Sequence, residues 1–235
     1  GGVAGKFTAS PAGLIFISSS TGESNIAASN PGTYTVTNTI NPIGGCEAVT
    51  ATNTVTITPL PIAIFSYSGS PYCTNGTNPS PTLSSGAVAG TFTANSSGLS
   101  INATTGVVNL SASNPGTYTV TNTVTAAGGC SQVSAANTIT ITALPITTFS
   151  YAGSPYCADA ANPLPIFSGG GTAGTFTASS AGLVVNPVTG EINISSSTAG
   201  TYTVTNTIPA ANGCGVVTAT YPVTDPNIAA GSVAN

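Results

Sequence analysis

The stretch GTYTVTNTVTAAGGCSQVSAANTITIT, residues 116–142, decides the fold. Tyr118, Val120 and Val124 alternate with Thr117, Thr119, Thr121, Thr123 and Thr125. Beyond a glycine-rich turn, Val133, Ala135, Ile139 and Ile141 alternate with Ser134, Thr138, Thr140 and Thr142. A period of two puts apolar side chains on one face and hydroxyls on the other, which predicts half-buried β-strands and not a helix of period 3.6. Threonine suits the solvent face because β-branching favours an extended chain. The intervening TAAGGCS, residues 125–131, reads as a hairpin loop.

The same string recurs along the chain. Tyr34, Tyr118 and Tyr202 stand 84 apart (118 − 34 and 202 − 118), as do Cys46, Cys130 and Cys214, the pair Cys73 and Cys157, the pair Leu60 and Leu144, and the pair Phe92 and Phe176. Phe7 lies 85 before Phe92, so the first copy has one extra residue ahead of its tyrosine. Such a period predicts a tandem array of one structural unit. The expected division is an incomplete repeat lacking its first strand over 1–59, complete repeats over 60–143 and 144–225, and a tail over 226–235. GGVAGKF at 1–7 aligns with GAVAGTF at 86–92 and GGTAGTF at 170–176, so the first copy has no counterpart of roughly residues 60–85. Pro61 and Pro145, in the linkers TPLPI and TALPI, fix φ and stiffen the joints.

A second hairpin is spelled GLSINATTGVVNL over 98–110. Leu99 and Ile101 precede its turn, Val108 and Leu110 follow it, and Gly106 is placed for a left-handed conformation. The third copy reads NPVTG there, with Pro187 at the second turn position. Some seven short strands per repeat, broken by turns and without helical stretches, predict an all-β chain of tandem immunoglobulin-like antiparallel β-sandwiches.

Composition closes off most chemistry. Among 235 residues Lys6 is the only basic one, the acids are Glu23, Glu47, Asp159, Glu191 and Asp225, and His, Trp and Met are absent. One lysine cannot displace counterions from phosphates, so nucleic acid is excluded as a partner. No repeat holds two carboxylates close in sequence and there is no imidazole, so no catalytic residue is assigned and an enzyme is not expected. No apolar run approaches the roughly 20 residues of a spanning helix, so membrane insertion is not expected. No charged segment followed by an apolar one opens the chain, and the missing methionine suggests a mature product or an internal stretch of something longer. The regular Val and Ile alternation argues against disorder. A nearly uncharged hydroxyl and amide surface has little repulsion to keep copies apart, which favours self-association.

The string GL, two residues, Asn, two residues, TG, then a strand, then PGTYTVT resembles the Ig-like and cadherin-like modules found in tandem on bacterial surface proteins. FSYSGSPYC at 65–73, with a later GGC, is similar to long repeat proteins of gliding and surface-attached Bacteroidota, including gliding-motility-associated adhesins. The resemblance implies export by type IX secretion and display outside the cell, and it implies no catalytic residue.

An oxidising setting bears on the five cysteines. Equal spacing suggests Cys73 with Cys130 and Cys157 with Cys214, each 57 apart (130 − 73 and 214 − 157), leaving Cys46 unpaired or intersubunit. The rival arrangement across joints pairs Cys46 with Cys73 and Cys130 with Cys157, leaving Cys214 alone. Metal binding is the poorer reading, since there is no CxxC and no His.

Asn38, Asn122 and Asn206 fall on an inward period, as do Asn53 and Asn137. A hairpin centred between Gly129 and Cys130 would oppose Asn122 to Asn137, and Asn38 to Asn53, as self-satisfying amide pairs. Calcium would suit a cadherin-like array, but the joints carry no carboxylate cluster, so no cofactor is expected; Asp225 in TDPN could make a weak contact with help from carbonyls. The sequons at Asn75 and Asn102 carry little weight in so threonine-rich a chain. Tyr67, Tyr72, Tyr151 and Tyr156 near the repeat entrances are joint packing in the plainer reading; if exposed they would stack on sugars, which makes surface glycans a further partner to test.

These readings converge on a structural subunit or segment of an extracellular filament at the cell surface. The alternative is the stalk of an adhesin whose binding tip lies outside this chain. Other copies of the chain, joined head to tail, are the expected partners. The first copy lacks the counterpart of LPIAIFSYSGSPYC, residues 60–73, and should expose an edge and apolar core. AAGSVAN at 229–235 echoes YSGSPYC, so Ala229, Ala230, Gly231, Ser232 and Val233 are the candidate joining strand, filling that edge in the next subunit. Equally, residues preceding this stretch in a longer array would complete the first repeat.

Overall fold

The computed structural model describes residues 2–42, 44, 47–157 and 159–225. Cys46 and the tail with the candidate joining strand, Ala229 to Val233, lie outside the described residues. Two compact units make up the fold. Among the described residues, one holds the chain up to Ile64 with Ser85–Gly90 and Thr123–Ala135; the other holds Phe65–Ser84, Thr91–Asn122 and the chain from Ala136 to Asp225.

In the first sequence repeat the strands are β1 (Lys6–Ser10), β2 (Phe16–Ser18), β3 (Glu23–Ser24), β4 (Gly32–Ile40) and β5 (Val49–Ile57). They form an antiparallel sheet ordered β1-β4-β5 and a small hairpin of β2 and β3. Leu14, Tyr34 and Ile57 are its buried cluster, with Ala9, Phe16 and Val36 packed against them. β5 is one of the sheet's two edges; of its nine residues only Ile57 is buried, and Ile15, Ile17, Ile26 and Val49 are exposed.

The second repeat supplies β6 (Phe65–Ser66), β7 (Tyr72–Cys73), β8 (Thr82–Leu83), β9 (Thr91–Ala94), β10 (Gly116–Val124) and β11 (Val133–Thr142). One sheet is ordered β7-β11-β10-β9, and β6 pairs with β8. The third repeat supplies β12 (Phe149–Ser150), β13 (Ile166–Phe167), β14 (Thr175–Ala178), β15 (Gly200–Ile208) and β16 (Val217–Asp225). Here β14-β15-β16 form one sheet and β12 pairs with β13. Helix is confined, among the described residues, to single 3-10 turns at Leu110–Ala112 and Ile194–Ser196. The all-β sandwich expected from the period of two is the observed class. In β10 and β11, Tyr118, Val120, Ile139 and Ile141 are buried while the intervening threonines lie outside the core.

Two cores correspond at eight positions one period apart. Phe65, Tyr67, Phe92, Leu99, Val108, Leu110, Tyr118 and Val120 form one; Phe149, Tyr151, Phe176, Leu183, Ile192, Ile194, Tyr202 and Val204 form the other. Edge-to-face stacking of Phe65 on Phe92 at 5.3 Å and Phe149 on Phe176 at 5.5 Å fills their centres. The NATTG and NPVTG turns close as expected: Gly106 and Gly190 have φ of 70° and 71°. The Asn102 and Asn186 side chains accept from the amides two and three residues on.

The expected pairing of Asn38 with Asn53 is corrected. Asn38 opposes Ala51 and Asn53 opposes Val36, so each pair sums to 89 and not to the expected 91 (38 + 51 and 36 + 53, against 38 + 53). Asn206 likewise opposes Ala219, and Tyr221 opposes Val204. Asn38 and Asn206 serve the chain entering the first strand of the sheet instead. The Gly5 amide donates to Asn38 Oδ1 at 2.7 Å and Asn38 Nδ2 donates to the Val3 carbonyl at 2.9 Å. Gly174 donates to Asn206 Oδ1 at 2.7 Å, and Asn206 Nδ2 donates to the carbonyls of Thr147 and Thr172. Backbone groups that leave the ladder are satisfied this way.

Candidate functional site: a covalent joint between sequence repeats

The SPYC segment lies along the last strand of its own sandwich. Ser70 Oγ accepts from the Thr140 amide at 3.0 Å, and β7 then joins β11 in parallel, with Tyr72 opposite Ile141 and Cys73 opposite Thr142. The Thr74 amide continues the pairing to the Thr142 carbonyl, and Thr74 Oγ1 accepts from the Leu144 amide at 3.2 Å. Cys73 thus sits where the chain leaves the second repeat, and it is buried.

The glycine-rich loop of the third repeat meets it. Ala211 and Cys214 exchange backbone hydrogen bonds of 3.1 and 2.9 Å, and Asn212 and Gly213 at the tip take φ of 50° and 81°. A Cβ on Gly213 would overlap the Pro71 carbonyl oxygen, so only glycine lets the loop approach this closely. Cys214 Sγ lies 3.5 Å from the Ala143 carbonyl oxygen in the linker. Cys73 and Cys214 are disulfide-bonded, with Cα atoms 4.7 Å apart.

This pairing replaces both sequence expectations. The bond joins consecutive repeats, but from the early cysteine of one to the late cysteine of the next; Cys130 and Cys157 are free thiols. The reason is the parallel docking of SPYC. In the third repeat the Tyr156 amide donates to the Thr224 carbonyl, near the end of β16, whereas Cys214 precedes the start of β16 at Val217. Nine residues of strand at about 3.3 Å each separate the two ends by about 30 Å. A disulfide needs Cα atoms within about 7 Å, so Cys157 and Cys214 of one sandwich cannot meet.

The four entrance tyrosines are structural. Tyr67, Tyr151 and Tyr156 are buried and Tyr72 is half-buried. Tyr67 donates to the Gly106 carbonyl at 2.5 Å and Tyr151 to that of Gly190. Burial, with a smaller contribution from Tyr72, pushes the Tyr67 hydroxyl up to about 12, and burial raises Tyr151 further. A stacking platform for sugars needs exposed ring faces, which these three do not offer. Asp225 is buried opposite Gly200 at the end of β16. Among the described residues no three of His, Cys, Asp and Glu come together. No helix among them is long and apolar enough to cross a membrane.

No family model matches the chain, and neither does any curated protein. Solved structures with a similar fold include Drosophila N-cadherin EC1-4, at 14% identity and TM-score 0.34, covering 94% of this chain and 66% of that one. A 1.5-MDa bacterial ice-binding adhesin matches at 16% identity and TM-score 0.31, covering 96% and 87%. A SusE-like surface-located polysaccharide-binding protein of Bacteroides thetaiotaomicron matches at 14% identity and TM-score 0.24, covering 93% and 54%. The chain is similar to tandem extracellular β-sandwich repeats and bacterial surface proteins, and the likeness is one of fold. Of the joint, sequence reasoning found the cysteines but missed Gly213 and the Ala143 carbonyl. The usable signal was the glycine preceding the late cysteine in every copy, Gly45, Gly129 and Gly213.

Proposed function

We propose that this chain is a structural segment of an extracellular, surface-displayed filament of tandem Ig-like units, with no catalytic role. The observation that carries the reading is the Cys73–Cys214 bond between consecutive repeats. A pull along the chain that enters at Cys73 crosses to Cys214 through sulfur, and the 140 residues between them (214 − 73 − 1) bear none of it. An element under tension gains from such a bypass; a binding module or an enzyme does not need one. The near absence of Lys and Arg leaves trypsin-like proteases a single site at Lys6, which suits an exposed fibre.

The exposed edge of β5 supports joining of copies by strand addition, the added strand being either 229–235 of another chain or the SPYC-type strand of a longer array. The PGTYTVT and SPYC motifs support a surface-attached, gliding host among the Bacteroidota. Negative-stain imaging of the purified chain tests the function: long uniform fibres are expected, and isolated short rods would instead favour an adhesin stalk. Deleting 226–235 tests the joining strand; fibres of unchanged length in the truncated chain would rule it out.

A further inference from the structure

Cys130 and Cys157 each stand one period from a bonded cysteine (214 − 130 = 84 and 157 − 73 = 84). Each also repeats that cysteine's local geometry. At Cys157, Ser154 Oγ accepts from the Thr224 amide at 2.9 Å, as Ser70 Oγ does from Thr140 at 3.0 Å. The Ala160 amide donates to the Cys157 carbonyl at 2.9 Å, as Gly76 does to Cys73. At Cys130, Gly129 has φ of 82° where Gly213 has 81°. The Cys130 amide donates to the Ala127 carbonyl at 2.9 Å, as Cys214 does to Ala211, and Cys130 Sγ lies 3.5 Å from the Pro59 carbonyl oxygen, the counterpart of Ala143. Both halves of the Cys73–Cys214 link are therefore present a second time, as free thiols.

We infer that Cys157 and Cys130 are the two half-sites of a repeating joint disulfide, each taking a cysteine from another copy of this repeat. Cys157 takes the glycine-preceded cysteine of the copy that follows, and Cys130 takes the SPYC-type cysteine of the copy that precedes. The inference rests on the tandem-array reading above. Chemically, the two thiols lose two protons and two electrons to a disulfide oxidant by thiol–disulfide exchange; one S–S bond forms and the oxidant's S–S bond is reduced to two thiols. The partner cysteine comes either from a further repeat of the same polypeptide or from a second chain.

The test is a non-reducing peptide map of the native polypeptide, its free thiols alkylated before digestion with chymotrypsin. The expected result is a Cys157 peptide linked to a Gly-Cys loop peptide of the repeat, and a Cys130 peptide linked to an SPYC peptide. Mobility on a denaturing gel identifies the source: no change of mass on reduction places the partner in the same polypeptide, and a fall in mass places it in a second chain. Cys157→Ser, at an exposed position, should abolish the first linked peptide while leaving Cys73–Cys214 intact. Recovery of Cys157 as an alkylated free thiol beside an intact Cys73–Cys214 bond, or its linkage to any other kind of cysteine, overturns the inference. Fibres that persist with Cys157 free would overturn the link alone; linked peptides in a chain that forms no fibres would overturn the filament alone.

Discussion

Gly174 has no room for a side chain. A Cβ there would overlap the carbonyl oxygen of Thr207, and Gly5 and Gly90, at the equivalent place in the other copies, face Thr39 and Thr123 in the same way. Close approach of the entering chain to the central strand of the sheet explains the glycine in the recurring AGKF and AGTF. Gly174→Ala should destabilise the third repeat by about 1–3 kcal/mol through overpacking, read as a lower urea midpoint. The glycine of each GL motif has a similar reason. Gly98 faces the Tyr118 hydroxyl, which donates to the Asn114 carbonyl four residues back, as Tyr34 does to Asn30 and Tyr202 to Thr198. Buried hydroxyls also set an alkaline limit. The Tyr67 phenol is held neutral up to about pH 12 in the fold but ionises near 10 when unfolded. Its contribution is therefore complete below pH 10 and is lost as pH rises from 10 to 12, because the unfolded chain then binds fewer protons. Stability followed by urea unfolding should fall through that window, and Tyr67→Phe should flatten the fall; an unchanged slope in the variant would remove Tyr67 as the cause.

At the scale of elements, strand identity was legible and register was not. The alternation of Tyr118 and Val120 with threonines specified the buried face because a one-residue slip would turn every side chain over. A slip of two keeps all of them on the same face, so the pattern around Asn38 could not distinguish Asn53 from Ala51 as its partner. The cysteines were ambiguous for a related reason. A strict period of 84 leaves several pairings equally regular, and the choice depends on which end of the sandwich holds SPYC, which only its parallel contact with β11 reveals. Asn206 shows what such long-range contacts are worth. It is fully buried and bonds Gly174, Thr147 and Thr172, so Asn206→Ala strands three backbone groups. The expected loss is about 2–4 kcal/mol, measured by chemical denaturation, against less than about 0.5 kcal/mol for Thr218→Ala on the exposed face of β16.

For the whole molecule the disulfide matters more than any single contact. It closes a span of 141 residues, and in the chain-entropy picture removing it costs about 5 kcal/mol, with about 2–4 kcal/mol usual in practice. Cys214→Ser should lower the thermal midpoint accordingly. Its mechanical effect is sharper. Single-molecule extension of the chain held at its two ends, with and without reductant, measures the length that the bond hides. The joint described here predicts that reduction releases the 140 residues between Cys73 and Cys214, about 480 Å at roughly 3.4 Å per residue. Two separate gains of about 190 Å each, matching the 56 residues between Cys73 and Cys130 and between Cys157 and Cys214, would place the bonds within repeats and contradict it, as would no gain at all.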